Sequence, residues 1–224
     1  MRVLVTGASG QLGSFLLDQL AERHEVLGVD LVPPRFEAHR DMVERGDVTN
    51  RAEMERLMTA SEVVVHCAAQ TSVDWSNSNP LSDMDANLGG TTSVLEAARR
   101  ARARRVIFIS SVATYGDPIS VPIREDHPQK PLSFCGTSKL CSEAYVRTYS
   151  KMYGIEHAIV RPFNFYSNRT DPKSSHSSVI TKFVGQVKAG KKLTIEGDGG
   201  QTRDFIHASD VARMIVLLVE SNAT

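Results

Sequence analysis

Hydrophobic residues along the chain fall into two alternating rhythms. Short β-branched or unbroken apolar runs at Arg2–Thr6, Glu25–Asp30, Met42–Gly46, Val63–Ala68, Val106–Ile109, Glu156–Arg161 and Leu193–Glu196 read as strands. Between them, three-to-four-residue spacing of apolar positions predicts helices over Gln11–Arg23, Asn50–Thr59, Leu81–Arg104, Gly136–Tyr153 and Val179–Ala189, with a last helix over Asp210–Glu220. Strand and helix in alternation mean parallel βαβ units. Val63-Val64-Val65 and Val106-Ile107-Phe108-Ile109 carry no polar alternation, as strands covered on both faces require. The expected fold class is therefore α/β, a doubly wound parallel sheet, and right-handed crossovers give it the strand order 3-2-1-4-5-6. Pro and Gly cluster at Asp117–Pro131 and Asn168–Ser178, marking long loops suited to gripping a substrate.

Composition narrows the class. The chain has 224 residues, 41% of them hydrophobic, enough for a full core and too many for a disordered or fibrous protein. Lys plus Arg balances Asp plus Glu at 26 each, so no long-range field draws nucleic acid or an anionic membrane. The basic run Arg99–Arg105 is expected to close a helix, where cations complement the negative end of the dipole. No run reaches transmembrane length, and the chain opens directly into a strand without a signal-peptide pattern. Cys67, Cys135 and Cys141 are odd in number and lack metal-ligand spacing, which points to reduced thiols in the cytoplasm and no metal.

The candidate chemistry starts at Thr6-Gly7-Ala8-Ser9-Gly10-Gln11-Leu12-Gly13, which follows a strand and opens an amphipathic helix. In that context Gly7, Gly10 and Gly13 allow a tight turn and let backbone N–H groups approach a pyrophosphate at the helix N-terminus, with Gln11 and Leu12 beside it. Asp30 closes the second strand, where a carboxylate accepts from the adenosine ribose hydroxyls and repels a 2′-phosphate. The pair predicts NAD as the cofactor in preference to NADP. Asp47 and Val48, after the third strand, fit two readings, a border to the adenine or a helix-opening turn.

Together with that turn, the segments Gly46-Asp47-Val48, His66-Cys67-Ala68-Ala69, Asn87, Ser110-Ser111 with Tyr115-Gly116, Ser138-Lys139, Arg161-Pro162-Phe163-Asn164 and Gly197–His207 resemble the extended short-chain dehydrogenase/reductase family. The likeness is strongest to its NAD-dependent nucleotide-sugar epimerases of the UDP-glucose 4-epimerase type. It implies a Rossmann-type NAD domain over residues 1–161 and a partial, incomplete substrate-binding region over 162–224, with the last helix returning to the first domain. It also implies a homodimer through the helices Leu81–Arg104 and Gly136–Tyr153, where Tyr145, Val146 and Tyr149 form a candidate apolar stripe or equally face the domain's own core. The implied substrate is a nucleotide-diphosphate sugar, most simply a UDP-sugar, whose C4 hydride is taken up by NAD and returned to the other face through a 4-keto sugar.

The resemblance also assigns roles. Ser111 partners the sugar oxygen, Lys139 holds the nicotinamide ribose, and Ala68, Ala69 and Pro162 border the cofactor. Asn164 and Arg203 hold the substrate diphosphate, a guanidinium fork being suited to two phosphate oxygens. Plainer readings stand beside these: Ser111 as a turn cap, Lys139 as a solvated helix lysine, Arg203 as a surface partner of Asp204. Related dehydratases carry an Asp-Glu pair where this chain has Val112 and Ala113, so 4,6-dehydration is disfavoured.

The chain departs from the family pattern in three places. The catalytic tyrosine stands four residues before the lysine, and that position is Cys135; Tyr115, Tyr145, Tyr149, Tyr153 and Tyr166 all lack a lysine four residues on. A thiol near Lys139 is expected to have a lowered pKa, yet its sulfur ends a ring's length short of a tyrosine oxygen. Asn164–Arg169 lacks the Gly-Pro that usually follows the tyrosine there. The family also continues for roughly 80–100 residues more, so the chain reads as a truncated or reduced member. The expectation is an impaired 4-epimerase, the alternatives being a noncatalytic NAD-binding or regulatory module, a dehydratase or a reductase.

Overall fold

The computed structural model describes residues 1–170, 179–195 and 197–221. Six strands, β1 (Arg2–Thr6), β2 (Glu25–Asp30), β3 (Val43–Arg45), β4 (Val63–His66), β5 (Arg105–Ile109) and β6 (Glu156–Val160), form one parallel sheet in the order β3-β2-β1-β4-β5-β6. This is the doubly wound order that the alternating pattern predicts. Side chains leave the sheet with period two. Val3, Val5, Val63, Val65 and Ile107 join one core with α1 (Gln11–Ala21) and α8 (Ala208–Glu220), through Leu12, Leu16, Leu20, Val211, Ile215 and Val219. Leu4, Val64, Val106 and Phe108 join the other with α2 (Arg51–Leu57), α5 (Gly90–Arg100) and α6 (Phe134–Tyr153), through Met54, Leu57, Val94, Leu95 and Val146. No helix among the described residues is long and apolar enough to cross a membrane.

The predicted helix Leu81–Arg104 is helical from Leu81 to Arg100 with a π turn inside it, and a separate short helix precedes it. α3 (Val73–Ser78) is capped by the Ser72 hydroxyl, α4 (Pro80–Met84) starts at a proline, and a π turn over Asp85–Gly89 leads into α5. Pro80 opens the helix and so separates it from α3, and inside it, at the π turn, Asn87 turns inward, its side chain bonding both backbone groups of Gln70. The expected strand over Leu193–Glu196 is irregular over residues 193–195. A two-stranded parallel sheet forms instead from β7 (Asn164–Tyr166) and β8 (Phe205–His207), and α7 (Val179–Lys188) stands between them in the chain. Of the loop Asn168–Ser178, residues 171–178 lie outside the described residues, as does Glu196.

Packing refines two further readings. Arg99 and Arg100 close α5 in its last turn as expected, but the basic run continues past the helix: Arg105 opens β5 fully buried, pairs with Glu156 and donates to the Leu218 and Ser221 carbonyls at the end of α8. The stripe Tyr145, Val146, Tyr149 is not one exposed face, because Val146 belongs to the core and Tyr149 packs against it, leaving Tyr145 outside.

Candidate active site

A cavity of about 820 Å³ opens along the C-terminal edge of the sheet, where doubly wound folds bind their ligands. Its floor at one end is the β1–α1 turn. Gly7 has φ 68° and donates its N–H to the Val29 carbonyl at 2.8 Å, which bends the chain back over β2. A Cβ on Gly13 would lie 2.2 Å from the Gly7 carbonyl oxygen and a Cβ on Gly7 2.7 Å from the Ala68 nitrogen, so both positions require glycine. Gly10, Gln11 and Leu12 complete the turn and line the cavity.

Asp30, at the tip of β2, lines the same cavity and accepts from Ser9 N at 2.9 Å and Val32 N at 3.1 Å, one backbone N–H to each oxygen. A carboxylate oxygen takes more than one donor, so both keep capacity for ribose hydroxyls. Asp47, Val48, Ala68, Ala69 and Pro162 also border the cavity. The Asp47 carboxylate caps its own turn through Thr49, so the helix-opening reading of Asp47-Val48 holds in structure alongside the cavity border. A dinucleotide fits these groups: amide donors at a helix N-terminus for the diphosphate, a carboxylate for the ribose, and small residues where the chain must come close. Asp30→Ala is expected to narrow the preference for NAD over NADP by about tenfold, the scale of one charge-assisted hydrogen bond. Calorimetric titration with both dinucleotides checks this, and an unchanged ratio would count against Asp30.

At the other end of the cavity stand Ser110, Ser111, Cys135 and Lys139. Lys139 is buried, so it is not a solvated helix lysine; its Nζ donates to the Ile109 carbonyl at 2.8 Å and lies 4.8 Å from the centre of the Phe108 ring. Burial holds its amine down to about 8. Burial likewise pushes the Cys67 thiol at the cavity wall up to about 12. Cys135, one helical turn before Lys139, is buried with Sγ 3.8 Å from the Gln70 carbonyl and its own N–H on the Ser76 hydroxyl. Its thiol pKa is raised, by burial first and then by the Asp83 carboxylate, and Lys139 only partly opposes them. The expectation that Lys139 makes this thiol acidic is thus corrected: desolvation of the thiolate outweighs one neighbouring cation.

The turn-cap reading of Ser111 holds in structure, and the residue also lines the cavity. Its hydroxyl oxygen accepts from Ala113 N at 3.1 Å, capping a 3-10 turn over Val112–Thr114, and it lines the cavity with its proton still available to donate. Asn164, at the start of β7, lines the cavity and donates to the Asp204 carbonyl at 3.2 Å. Arg203 does not join them: it sits exposed on the segment before β8, its guanidinium donates to the Thr202 carbonyl, and it is not among the lining residues. Short local hydrogen bonding on an exposed segment holds it there.

Arg35, close after Asp30 in sequence, lines the cavity, and so does Arg169, which sequence did not single out. Arg169 lies between the rings of Phe15 and Phe36, 3.9 and 4.6 Å from their centres, and pairs with Asp18. With the bond from Gln11 Nε2 to Ser167 Oγ at 3.0 Å, it fastens the segment after β7 onto α1. No motif marks such a residue, because its partners lie about 150 positions away in the chain.

Comparison with known proteins agrees with this geometry. Residues 3–224 match the NAD dependent epimerase/dehydratase family. A putative UDP-glucose 4-epimerase of Methanocaldococcus jannaschii is 37% identical over 221 residues, 94% of this chain and 71% of that protein. The structure of UDP-glucose 4-epimerase from Thermotoga maritima with UDP-glucose is similar at a TM-score of 0.92 and 31% identity, covering 98% of this chain and 74% of that one. A dTDP-glucose 4,6-dehydratase from Streptomyces venezuelae, solved with NAD, is similar at a TM-score of 0.89 and 28% identity, covering 100% of this chain and 73% of that one. With a glycine turn and carboxylate that fit the dinucleotide and a family match over almost the whole chain, the protein belongs to the NAD dependent epimerase/dehydratase family and takes NAD as its cofactor.

Proposed function

We propose that this protein is a nucleotide-sugar 4-epimerase acting on a UDP-hexose, with its turnover limited by Cys135. The observation that carries the reading is the convergence of Ser111, Lys139 and Cys135 on one end of the cavity whose other end is the dinucleotide turn. Bound NAD supplies the hydride chemistry at C4. In this reading Ser111 donates its hydroxyl proton to the sugar O4, Lys139 holds the nicotinamide ribose and adds positive potential, and Asn164 orients the diphosphate. Arg203 would reach that diphosphate only if its segment moved inward. In this reading residues 1–161 make up the cofactor domain and 162–224 a partial substrate portion, except that the last helix, α8, returns to the cofactor domain's core. Val112 and Ala113 offer no carboxylate for water loss, which disfavours dehydration.

Incubation with NAD and UDP-galactose tests the reading, with UDP-glucose formation followed by anion-exchange chromatography. Slow conversion is expected. One observation favours a second reading, a noncatalytic NAD-binding module: the neutral, buried thiol leaves no base at the family's tyrosine position. Binding of NAD without binding or conversion of any UDP-sugar would establish that module instead.

We also propose a homodimer through the helices Leu81–Arg104 and Gly136–Tyr153, on which Leu81 is 73% and Met152 67% exposed and Met84, Tyr145 and Tyr153 are exposed as well. Sedimentation velocity at micromolar concentration is expected to show the dimer. Leu81→Lys with Met152→Lys should shift it to monomer, and a monomer throughout would remove the proposal.

A further inference from the structure

Along α6, Cys135, Lys139, Glu143 and Arg147 recur every four residues, so thiol, ammonium, carboxylate and guanidinium follow one another along one side of the helix. Two of them reach adjacent groups at the tip of β5. Lys139 Nζ donates to the Ile109 carbonyl at 2.8 Å, and Ser110 Oγ donates to Glu143 Oε1 at 2.6 Å. Glu143 is completely buried, and Arg161 grips it with two prongs, Nε to Oε1 at 2.7 Å and Nη2 to Oε2 at 2.7 Å. Arg147 at 2.9 Å and Gln129 at 3.1 Å complete its shell. From the other side of Arg161, Nη1 donates to the Tyr115 hydroxyl at 2.8 Å and the Glu125 carbonyl at 3.3 Å. One buried carboxylate thus ties together the tip of β5, the end of β6 and two points of the 117–131 loop.

The loop itself is pinched at its base. Gly116 has φ 69°, a Cβ there would fall 1.9 Å from the Lys130 carbonyl oxygen, and Lys130 donates its N–H to the Tyr115 carbonyl. Ser110, Ser111 and Lys139 line the cavity, whereas Glu143 and Arg161 stand behind them. Burying a carboxylate with two guanidinium partners is no economical way to gain stability, since apolar packing of equal volume does as well or better. What such a cluster provides is a fixed geometry.

We propose that Glu143, gripped by Arg161, is a positioning residue for the sugar end of the site: it sets Ser110-Ser111 against Lys139 and anchors the 117–131 loop beside them. The proposal rests on the UDP-sugar reading above. Across neutral pH the carboxylate stays ionised, because the Arg161 guanidinium and the Ser110 hydroxyl hold its pKa at about 2 despite burial.

The test compares the full chain with Glu143→Gln and Arg161→Lys, measuring NAD and UDP-glucose affinity by calorimetry and amide hydrogen exchange over residues 117–131. Glu143→Gln is expected to retain NAD affinity within threefold, to lose about tenfold in UDP-glucose affinity, the scale of a charge-assisted contact, and to speed exchange in the loop. Arg161→Lys keeps the charge without the fork and should fall between, and it carries the test if Glu143→Gln does not fold. Equal loss of NAD and UDP-glucose affinity would mean a merely structural role and overturn the proposal, as would unchanged UDP-glucose affinity. If the parent binds NAD but no UDP-glucose, the substrate reading fails by itself. The anchor is then upheld by faster exchange confined to the loop and overturned by unchanged exchange.

Discussion

Cys135→Tyr is expected to raise 4-epimerase turnover by about 10²–10⁴-fold, the usual contribution of a well-placed general acid–base group. The parent has the surroundings of such a group without the group. Lys139 stands one helical turn on, Ser111 lines the same end of the cavity, and position 135 borders the cavity rather than lying under it, so a phenol ring has space to extend into. The thiol fails on two counts. Burial and Asp83 raise its pKa, so near pH 7 it carries its proton and accepts none. Its sulfur is also held back against the Gln70 carbonyl, short of where a tyrosine oxygen would end. NAD affinity should stay within threefold, because the glycine turn and Asp30 are unaffected. The measurement is initial-rate conversion of UDP-galactose by parent and variant at saturating NAD. A parent already turning over rapidly, and silenced by Cys135→Ser, would show that the thiol is the base and that the reach argument is wrong.

The strand order and the dinucleotide turn were legible in sequence because each is encoded locally. An apolar run bounded by helical spacing needs no distant partner to declare itself, and Gly7, Gly10 and Gly13 act within one turn. What sequence concealed depends on residues far apart. Arg105 reads as one more cation in a basic run until β6 supplies Glu156 and α8 its terminal carbonyls. β7 and β8 are three residues each and pair across 41 positions, Asn164 with Phe205, too short and too distant for periodicity to register. The π turn at Asp85–Gly89 left the apolar spacing of the helix from residue 81 readable, so nothing in that pattern marked it. Among site residues, Ser111, Cys135 and Lys139 line one cavity, while Arg203, assigned by resemblance, lies off it with its guanidinium on the Thr202 carbonyl. The four-residue spacing from Cys135 to Arg147 was available as a signal, but only the position of Arg161 gives Glu143 its meaning.

Lys139→Met is expected to stabilise the fold while abolishing turnover in the Cys135→Tyr background. Lys139 is 6% exposed, and its principal pKa effect is burial, which lowers the amine from 10.5 to about 8. Cys135, Cys67 and the carboxylates Asp83 and Glu143 act in the opposite direction without restoring it. At about 1.4 kcal/mol per pKa unit, the charged lysine costs the folded state about 3 kcal/mol at neutral pH. The sign follows from proton binding. Between pH 8 and 10.5 the unfolded chain holds the lysine proton more tightly than the folded one, so stability rises with pH through that window. Cys67 works against it from pH 9 upward: its thiol goes from 9.0 to about 12, the folded chain keeps the proton longer, and stability falls. The lysine is therefore best seen between pH 8 and 9, where the parent should gain stability and Lys139→Met should lack that gain. Methionine fills a similar volume without a charge, and at roughly 2–4 °C per kcal/mol for a chain of this size, its Tm at pH 7 should rise by several degrees. Loss of the ammonium removes both the hold on the Ile109 carbonyl and the positive potential beside the base, so turnover should fall by about 10²-fold or more. A lower Tm for Lys139→Met would show that the Ile109 hydrogen bond and the Phe108 ring more than offset burial, and that this lysine is a structural asset rather than a charge kept for chemistry.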